Sequence, residues 1–389
     1  MGRDLRIAFI GAGGVNFGSP TKPWDHATRL EKLGGVTVVG VADPDMEKAQ
    51  KALAERLAGP ARKMYAGAKA YADERALLGE ARPEAVLIGL PPTAHGQSRP
   101  PHDMEMLCAA AGIHMFIEKP LSVLGPSETA DVAAAMEAAA QRGLVISVGY
   151  MFRYSRAVEK MRQILDDCPG GPRAVSLRFD CAYTDIHRTS WWDIRRSGGP
   201  ILDQATHLCD LARMLCGEVD LPSVMAMQLN AAGPGGGLSH MPLGLDGRSV
   251  EQHVPGEFRL PMATSAIWRH EQGTLGSLLH GVLLHGWKNE TELEIWGDGL
   301  RMVLSDPYHS CQLSVRYPNN QGGEVLSFTD DDPFRSEISA FLEAIRSGNR
   351  SLIRSGYADA MRSHEFAWAI RRSAEGARQH QHQPVTAEV

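Results

Sequence analysis

The start of the chain restricts its fold more than any other segment. Leu5-Arg6-Ile7-Ala8-Phe9-Ile10 is a short apolar run of strand type, Gly11-Ala12-Gly13-Gly14 follows it at once, and a second run, Val36 to Ala42, ends at Asp43. That order is what a dinucleotide-binding βαβ unit requires: glycines let the backbone approach a pyrophosphate, and the N–H groups of the next helix start meet its charge. Gly11, Gly13 and Gly14, with Val15 and Asn16, are therefore candidate cofactor contacts. Asn16 stands where the third glycine of G-x-G-x-x-G is usual. The two prolines of Phe17-Gly18-Ser19-Pro20-Thr21-Lys22-Pro23-Trp24 argue against a helix beginning immediately. An extended phosphate loop with its helix starting near Asp25 also accounts for the 32 positions between Gly11 and Asp43, where about 20 is usual. A carboxylate at Asp43 accepts from a ribose diol and repels a 2′-phosphate, and no Arg follows it in Val41-Ala42-Asp43-Pro44-Asp45, which favours NAD over NADP. The plainer reading is that Asp43 opens a turn and caps the next helix, a role Asp45 can fill by itself.

Residues 5 to 149 alternate two patterns. Apolar runs at Leu5 to Ile10, Val36 to Ala42, Ala85 to Gly89, His114 to Ile117 and Leu144 to Val148 read as buried parallel strands, and Asp45 to Ala58, His102 to Ala111 and Ser127 to Ala140 as helices between them. This is a doubly wound α/β pattern, a Rossmann sheet. After Gly149 the rhythm changes. A helix from Ser155 to Asp166, a strand around Arg173 to Ala182 and a helix from Ile201 to Cys216 precede successive strands at Phe258 to Trp268, Thr274 to Leu283, Glu290 to Trp296 and Leu300 to Leu304. Strands without intervening helices predict an α+β domain with a large, mainly antiparallel open sheet. The expected organisation is a dinucleotide-binding domain over 1–122, completed or joined by a helix and strand in 123–149, then a substrate-binding and oligomerisation domain over 150–379, and a flexible tail over 380–389. Two C-terminal helices, near Phe334 to Arg346 and Tyr357 to Glu375, close the chain. From Asn230 to Gly256 the chain is rich in Gly and Pro without periodicity, which suits a lid, a subunit arm or an insertion.

Composition narrows the partners. With 389 residues, a formal net charge of -6 and no run of Lys or Arg, nothing suggests a surface for nucleic acid or anionic lipid. No apolar stretch approaches the roughly 20 residues of a membrane span, and the first strand comes too early and is too brief for a signal peptide, so the cytoplasm is expected. The six cysteines are scattered without a C-x-x-C pair, so they read as reduced thiols rather than a zinc site or a disulfide framework, and no metal is expected.

Two further runs carry the chemistry. Glu118-Lys119-Pro120 lies beyond the strand ending at Ile117, where open α/β sheets bind their ligands. On the helix entered through Gly198-Gly199-Pro200, a 100° step per residue sets Asp203, His207 and Asp210 in one stripe, beside an apolar stripe of Leu208, Leu211 and Leu215. A cation, a carboxylate and an imidazole are the set needed to take a proton from an alcohol while a hydride leaves the same carbon. The bland alternatives are a solvated Lys119 and a surface i,i+4 pair at Asp203 and His207.

These residues resemble the glucose-fructose oxidoreductase and inositol dehydrogenase family (Gfo/Idh/MocA), over about residues 5 to 375. The resemblance rests on Gly11-Ala12-Gly13-Gly14, on Leu90-Pro91-Pro92-Thr93-Ala94-His95, on Glu118-Lys119-Pro120, and on Gly198-Gly199-Pro200-Ile201-Leu202-Asp203-Gln204-Ala205-Thr206-His207. It implies Lys119 as the catalytic lysine, His207 as the general base and Asp203 as the substrate-orienting carboxylate. It also implies Pro91 and His95 on the nicotinamide and ribose side with Glu118 and Lys119, and Arg153 and Tyr154 at the substrate. The loop Tyr183 to Arg196, with Trp192, has a composition suited to a carbohydrate face, although Trp191 and Trp192 serve equally well as packing. The implied activity is an NAD-dependent dehydrogenase of a sugar, sugar derivative or cyclitol, working as a homodimer or homotetramer. The rivals are an NAD-dependent glycoside-cleaving or eliminating enzyme that retains its cofactor, and a non-catalytic NAD-sensing regulator.

Overall fold

The computed structural model describes residues 3–18, 25–244, 246–318 and 322–381, with side chains as far as 376. The chain forms two compact units, Met1–Tyr154 with Asp332–Met361, and Ser155–Asp331 with Arg362–Val389.

In the first unit the apolar runs become β1 (Leu5–Ile10), β2 (Val36–Ala42), β3 (Lys69–Tyr71), β4 (Ala85–Ile88), β5 (His114–Ile117) and β6 (Ile146–Val148). They form one parallel sheet in the order β3-β2-β1-β4-β5-β6. Successive side chains on a strand point to opposite faces. So Ala8 and Ile10 join Val86, Ile88 and Met115 in one core, while Ile7 and Phe9 join Val38, Leu87, Phe116 and Phe341 in the other. The connecting helices are α1 (Gly14–Phe17), α2 (His26–Leu33), α3 (Met46–Ala58), α4 (Glu74–Ala81), α5 (Met104–Ala111) and α6 (Ala130–Gln141). β3, only three residues long, and α4 are not among the elements expected from the sequence pattern. One helical turn, α1, does begin straight after Gly13, contrary to the expectation from the prolines, and Gly18 at φ +78° ends it. Pro20 and Pro23 lie outside the described residues. The main helix α2 starts at His26, with Asp25 as N-cap accepting from the Thr28 N–H at 2.8 Å.

The second unit contains α7 (Arg156–Asp166), β7 (Ala174–Ala182), α8 (Thr189–Trp192), α9 (Ile194–Ser197) and a π turn, Ile201–Ala205, that runs into α10 (Thr206–Cys216). Then come β8 (Met225–Asn230), β9 (Pro261–Arg269), β10 (Leu275–Leu284), β11 (Glu290–Trp296), β12 (Arg301–Ser305), β13 (Gln312–Arg316) and β14 (Glu324–Ser327). The eight strands lie in the order β14-β13-β12-β11-β7-β10-β9-β8, antiparallel throughout except at β7 and β10. Alternation buries one face, including Leu177, Phe179, Ala266, Trp268, Leu278 and His280, and leaves Met225, Met227, Ile267, Leu275 and Leu279 exposed on the other. In the Gly/Pro-rich segment Val250 and Val254 are buried, whereas most described residues of 231–249 are exposed or half-buried; just beyond it Arg259 bridges to Asp193, and the Arg195 guanidinium lies 4.0 Å over the Phe258 ring. The C-terminal helix is Tyr357–Gln381, and the remainder of the expected tail, 382–389, lies outside the described residues.

Candidate active site

The sheet of the first unit changes winding direction between β1 and β4, the position at which doubly wound folds bind ligands. Gly11 sits there at φ +91°, and a Cβ on it would lie 2.6 Å from the Gly89 carbonyl oxygen. Only glycine meets both conditions. Gly14 has nothing within 4 Å of a Cβ position, so its backbone is open to a ligand. Asn16 is fully buried, and its amide donates to the carbonyls of Ile10 at 3.1 Å and Gly11 at 2.7 Å. It ties the glycine turn to the end of β1, and with Val15 it fills the space over Gly89, whose own Cβ would meet both side chains. Oδ1 of Asn16 is buried without a partner.

Asp43 is nearly buried at the end of β2. Its Oδ2 accepts from the Ala12 N–H at 2.8 Å and its Oδ1 from the Asp45 N–H at 3.0 Å. It is not the cap of α3, because Asp45 fills that role by accepting from the Lys48 N–H at 3.2 Å. The Lys48 ammonium lies 3.4 Å from Asp43 Oδ2. A positive-φ glycine, an exposed amide turn and a carboxylate bonded to that turn fit the diphosphate and ribose of a nicotinamide dinucleotide.

Beyond β5, Glu118 is held by His26, Nε2 to Oε1 at 2.7 Å, and lies against Gly149, where a Cβ would stand 3.1 Å from the carboxylate. His26, buried and edge-on to Phe116, is a positioning residue that no motif in the sequence announces. The neighbouring Lys119 is half-buried, and its peptide bond to Pro120 is cis. Pro91 is exposed. His95 is placed differently from the expectation. It is buried, with Nδ1 3.2 Å from Glu105 on α5 and Nε2 3.1 Å from the Leu90 carbonyl, so both ring nitrogens are engaged by groups of the fold.

In the second unit the helix expected from Ile201 is composite. Asp203 belongs to the π turn and His207 to α10. A π turn is wider than an α turn, and such insertions recur at functional sites. His207 is only 5 % exposed, which rules out the surface pair. Asp203 Oδ2 accepts from the Trp191 indole N–H at 3.0 Å. The Tyr308 ring stands edge-on to His207 with centroids 6.2 Å apart, and burial, reinforced by the Asp203 charge, raises its phenol above the usual range. His280, fully buried and stacked on Phe179, meets Gln204 Oε1 at 2.9 Å, while the Gln204 amide donates to Cys181 Sγ. Burial pushes the His280 imidazole down to about 3, against the opposing pull of Asp203. Asp203 and His207 thus sit in a cluster with Trp191, Gln204, His280 and Tyr308. Tyr308 and His280 were not legible because they lie on strands and loops 70 or more positions downstream.

Four expected residues have other duties. Asp210 does not share the reactive stripe: it is buried and accepts from Ser363 Oγ at 2.7 Å, which in turn accepts from Arg213 at 2.6 Å. Arg153 is buried, pairs with Asp359 and donates to the Arg354 carbonyl at 2.6 Å. The Tyr154 hydroxyl accepts from the Arg354 N–H at 2.8 Å, so both residues fasten the turn after β6 inside the first unit. Trp192 is 1 % exposed, with its indole N–H on the Ile186 carbonyl at 2.9 Å; it is core, not a carbohydrate face.

Comparison with known proteins accords with these two units. Residues 5–150 match the model described as oxidoreductase family, NAD-binding Rossmann fold, and residues 153–300 match an oxidoreductase C terminal domain. An uncharacterised protein of Schizosaccharomyces pombe is 32% identical over 380 residues, covering 95% of this chain and 97% of its own. Myo-inositol 2-dehydrogenase of Thermotoga maritima is 23% identical over 350 residues, covering 88% and 89%. Among solved structures, UDP-N-acetylglucosamine 3-dehydrogenase from Acidithiobacillus ferrooxidans superposes with a TM-score of 0.70 at 20% identity, covering 96% of this chain and 98% of that one.

Proposed function

This chain belongs to the Gfo/Idh/MocA oxidoreductase family and is an NAD(P)-dependent oxidoreductase; we propose that it oxidises or reduces a secondary carbinol of a sugar, sugar derivative or cyclitol. The observation that carries this reading is the placing of Asp203 and His207 in one sheltered polar cluster with Trp191 and Tyr308. The names of the relatives support the substrate class, since they act on myo-inositol and on an N-acetylglucosamine nucleotide.

Gly11, Gly13 and Gly14 would seat the diphosphate and Asp43 the adenosine ribose. The bound nicotinamide supplies the hydride acceptor or donor. In the oxidative direction His207 accepts the hydroxyl proton, and the Lys119 ammonium stabilises the oxygen as negative charge develops on it. Asp203, held by the Trp191 N–H, orients a neighbouring hydroxyl. Tyr308 borders His207 and limits its access to water. His280 stays neutral and adds no competing charge beside Asp203.

Self-association is part of the proposal. Met225, Met227, Ile267, Leu275 and Leu279 expose one apolar patch on β8, β9 and β10, which suits a homodimer or homotetramer built through the open sheet face. The described cysteines are all free, in keeping with a cytoplasmic site of action.

The test is reduced-nicotinamide absorbance with NAD across sugars, sugar acids and inositols, for the wild type and His207→Ala. A substrate-dependent signal that His207→Ala lowers at least a hundredfold supports the reading. Silence across the panel from a protein that binds NAD overturns net dehydrogenation.

A further inference from the structure

We infer that Lys48 sets how strongly this chain discriminates between NAD and NADP, by supplying a cation to the 2′ position that Asp43 alone would close to a phosphate. The inference extends the cofactor reading to a residue outside its glycine and carboxylate motif.

Lys48 is the third residue of α3. A cation in the first turn of a helix opposes the macrodipole, whose N-terminal end is positive, and a local anion offsets that cost. Asp43 is that anion, 3.4 Å from the ammonium. The backbone of Lys48 is fixed by the Asp45 cap, while its side chain remains about half exposed and able to move. Its Nζ would lie 3.9 Å from a Cβ on Gly13, so the ammonium stands beside the phosphate turn as well as beside the carboxylate.

The acceptor capacity of Asp43 makes the role specific. Oδ1 already receives the Asp45 N–H, and Oδ2 the Ala12 N–H together with the Lys48 charge. A carboxylate has about four acceptor sites in all. A ribose diol asks for two of them, so Lys48 withdraws from Oδ2 when NAD enters. A 2′-phosphate asks instead for a cation. Lys48, beside Asp43 and the glycine turn, would supply that cation while still screening Asp43, and the repulsion that excludes NADP would be reduced. Ion pairs at a half-exposed site weaken with salt, so this contribution is sensitive to ionic strength.

The test is binding, independent of turnover: calorimetric titration of NAD and NADP into the wild type, Lys48→Met and Lys48→Arg at low and high salt. Lys48→Met is expected to weaken NADP about tenfold, the scale of one charge-assisted contact, while NAD changes less than threefold. Lys48→Arg should restore the wild-type ratio, and added salt should move the wild type toward Lys48→Met. An unchanged NADP-to-NAD ratio in Lys48→Met, or equal weakening of both cofactors, overturns the inference while leaving the cofactor reading intact. Failure of the wild type to bind either cofactor overturns both.

Discussion

His280 gives the second unit a pH dependence whose sign and size follow from its surroundings. The imidazole is fully buried, stacked on Phe179, and bonded through Nε2 to Gln204, and its Nδ1 has no partner. Protonation would place a cation and an unpartnered N–H at a fully buried position, which is why burial lowers its pKa from 6.5 to about 3 against the pull of Asp203. In the unfolded chain the same residue titrates near 6.5. The unfolded state therefore binds the proton first as pH falls, and stability is full above about pH 6.5 and declines toward pH 3. One pKa unit corresponds to about 1.4 kcal/mol, so roughly 2 kcal/mol is lost between pH 8 and pH 5. The comparison is urea unfolding followed by tryptophan fluorescence for the wild type and His280→Gln at both pH values. The glutamine variant retains a hydrogen-bonding group but does not titrate. Burial also lowers His114 and His270, but these act in both proteins and cancel in the difference. The wild-type advantage at pH 8 should shrink by about 2 kcal/mol at pH 5. An equal difference at the two pH values would refute the reasoning.

Trp191→Phe removes the indole donor that holds Asp203 at 3.0 Å. A hydrogen bond to a charged group contributes about 1.5–3 kcal/mol, so kcat should fall roughly ten- to a hundredfold. Titrated NAD affinity should stay unchanged and the kcat-pH profile should shift. Gly11→Ala forces a Cβ to within 2.6 Å of the Gly89 carbonyl at φ +91°; denaturation should show a loss of at least about 2 kcal/mol, and calorimetry no NAD binding. Charging the open sheet face with Met227→Asp and Leu275→Asp, both more than 60 % exposed, should reduce the mass seen by analytical ultracentrifugation to that of one chain while NAD still binds.

Short buried strands, glycine turns and helix caps are local decisions, and they are written locally. The runs at Leu5, Val36 and His114 are too apolar and too short to be anything but central strands, and Asp25 and Asp45 cap the helices that follow them. Asp43 was legible in the same way as the residue that closes the second strand, and the structure bonds its carboxylate to the Ala12 N–H of the glycine turn. The helix period was a poorer guide, because its regular 100° step cannot anticipate a π turn. Asp203 lies in that turn, so its angle to His207 differs from the regular step, and Asp210, although it follows His207 within α10, is spent on Ser363, 153 positions away.

What the amino-acid sequence by itself determined is the parallel Rossmann sheet, its glycine turn and the residue types available for hydride chemistry. Only the tertiary structure decided which polar side chains are spent on the fold. Arg153, Tyr154, His95 and Trp192 have the chemistry of ligand-binding residues, and each is bonded to a backbone group of the fold. Buried polar groups must find such partners, and those partners come from segments as distant as Arg354 is from Arg153, a pairing that no local pattern encodes.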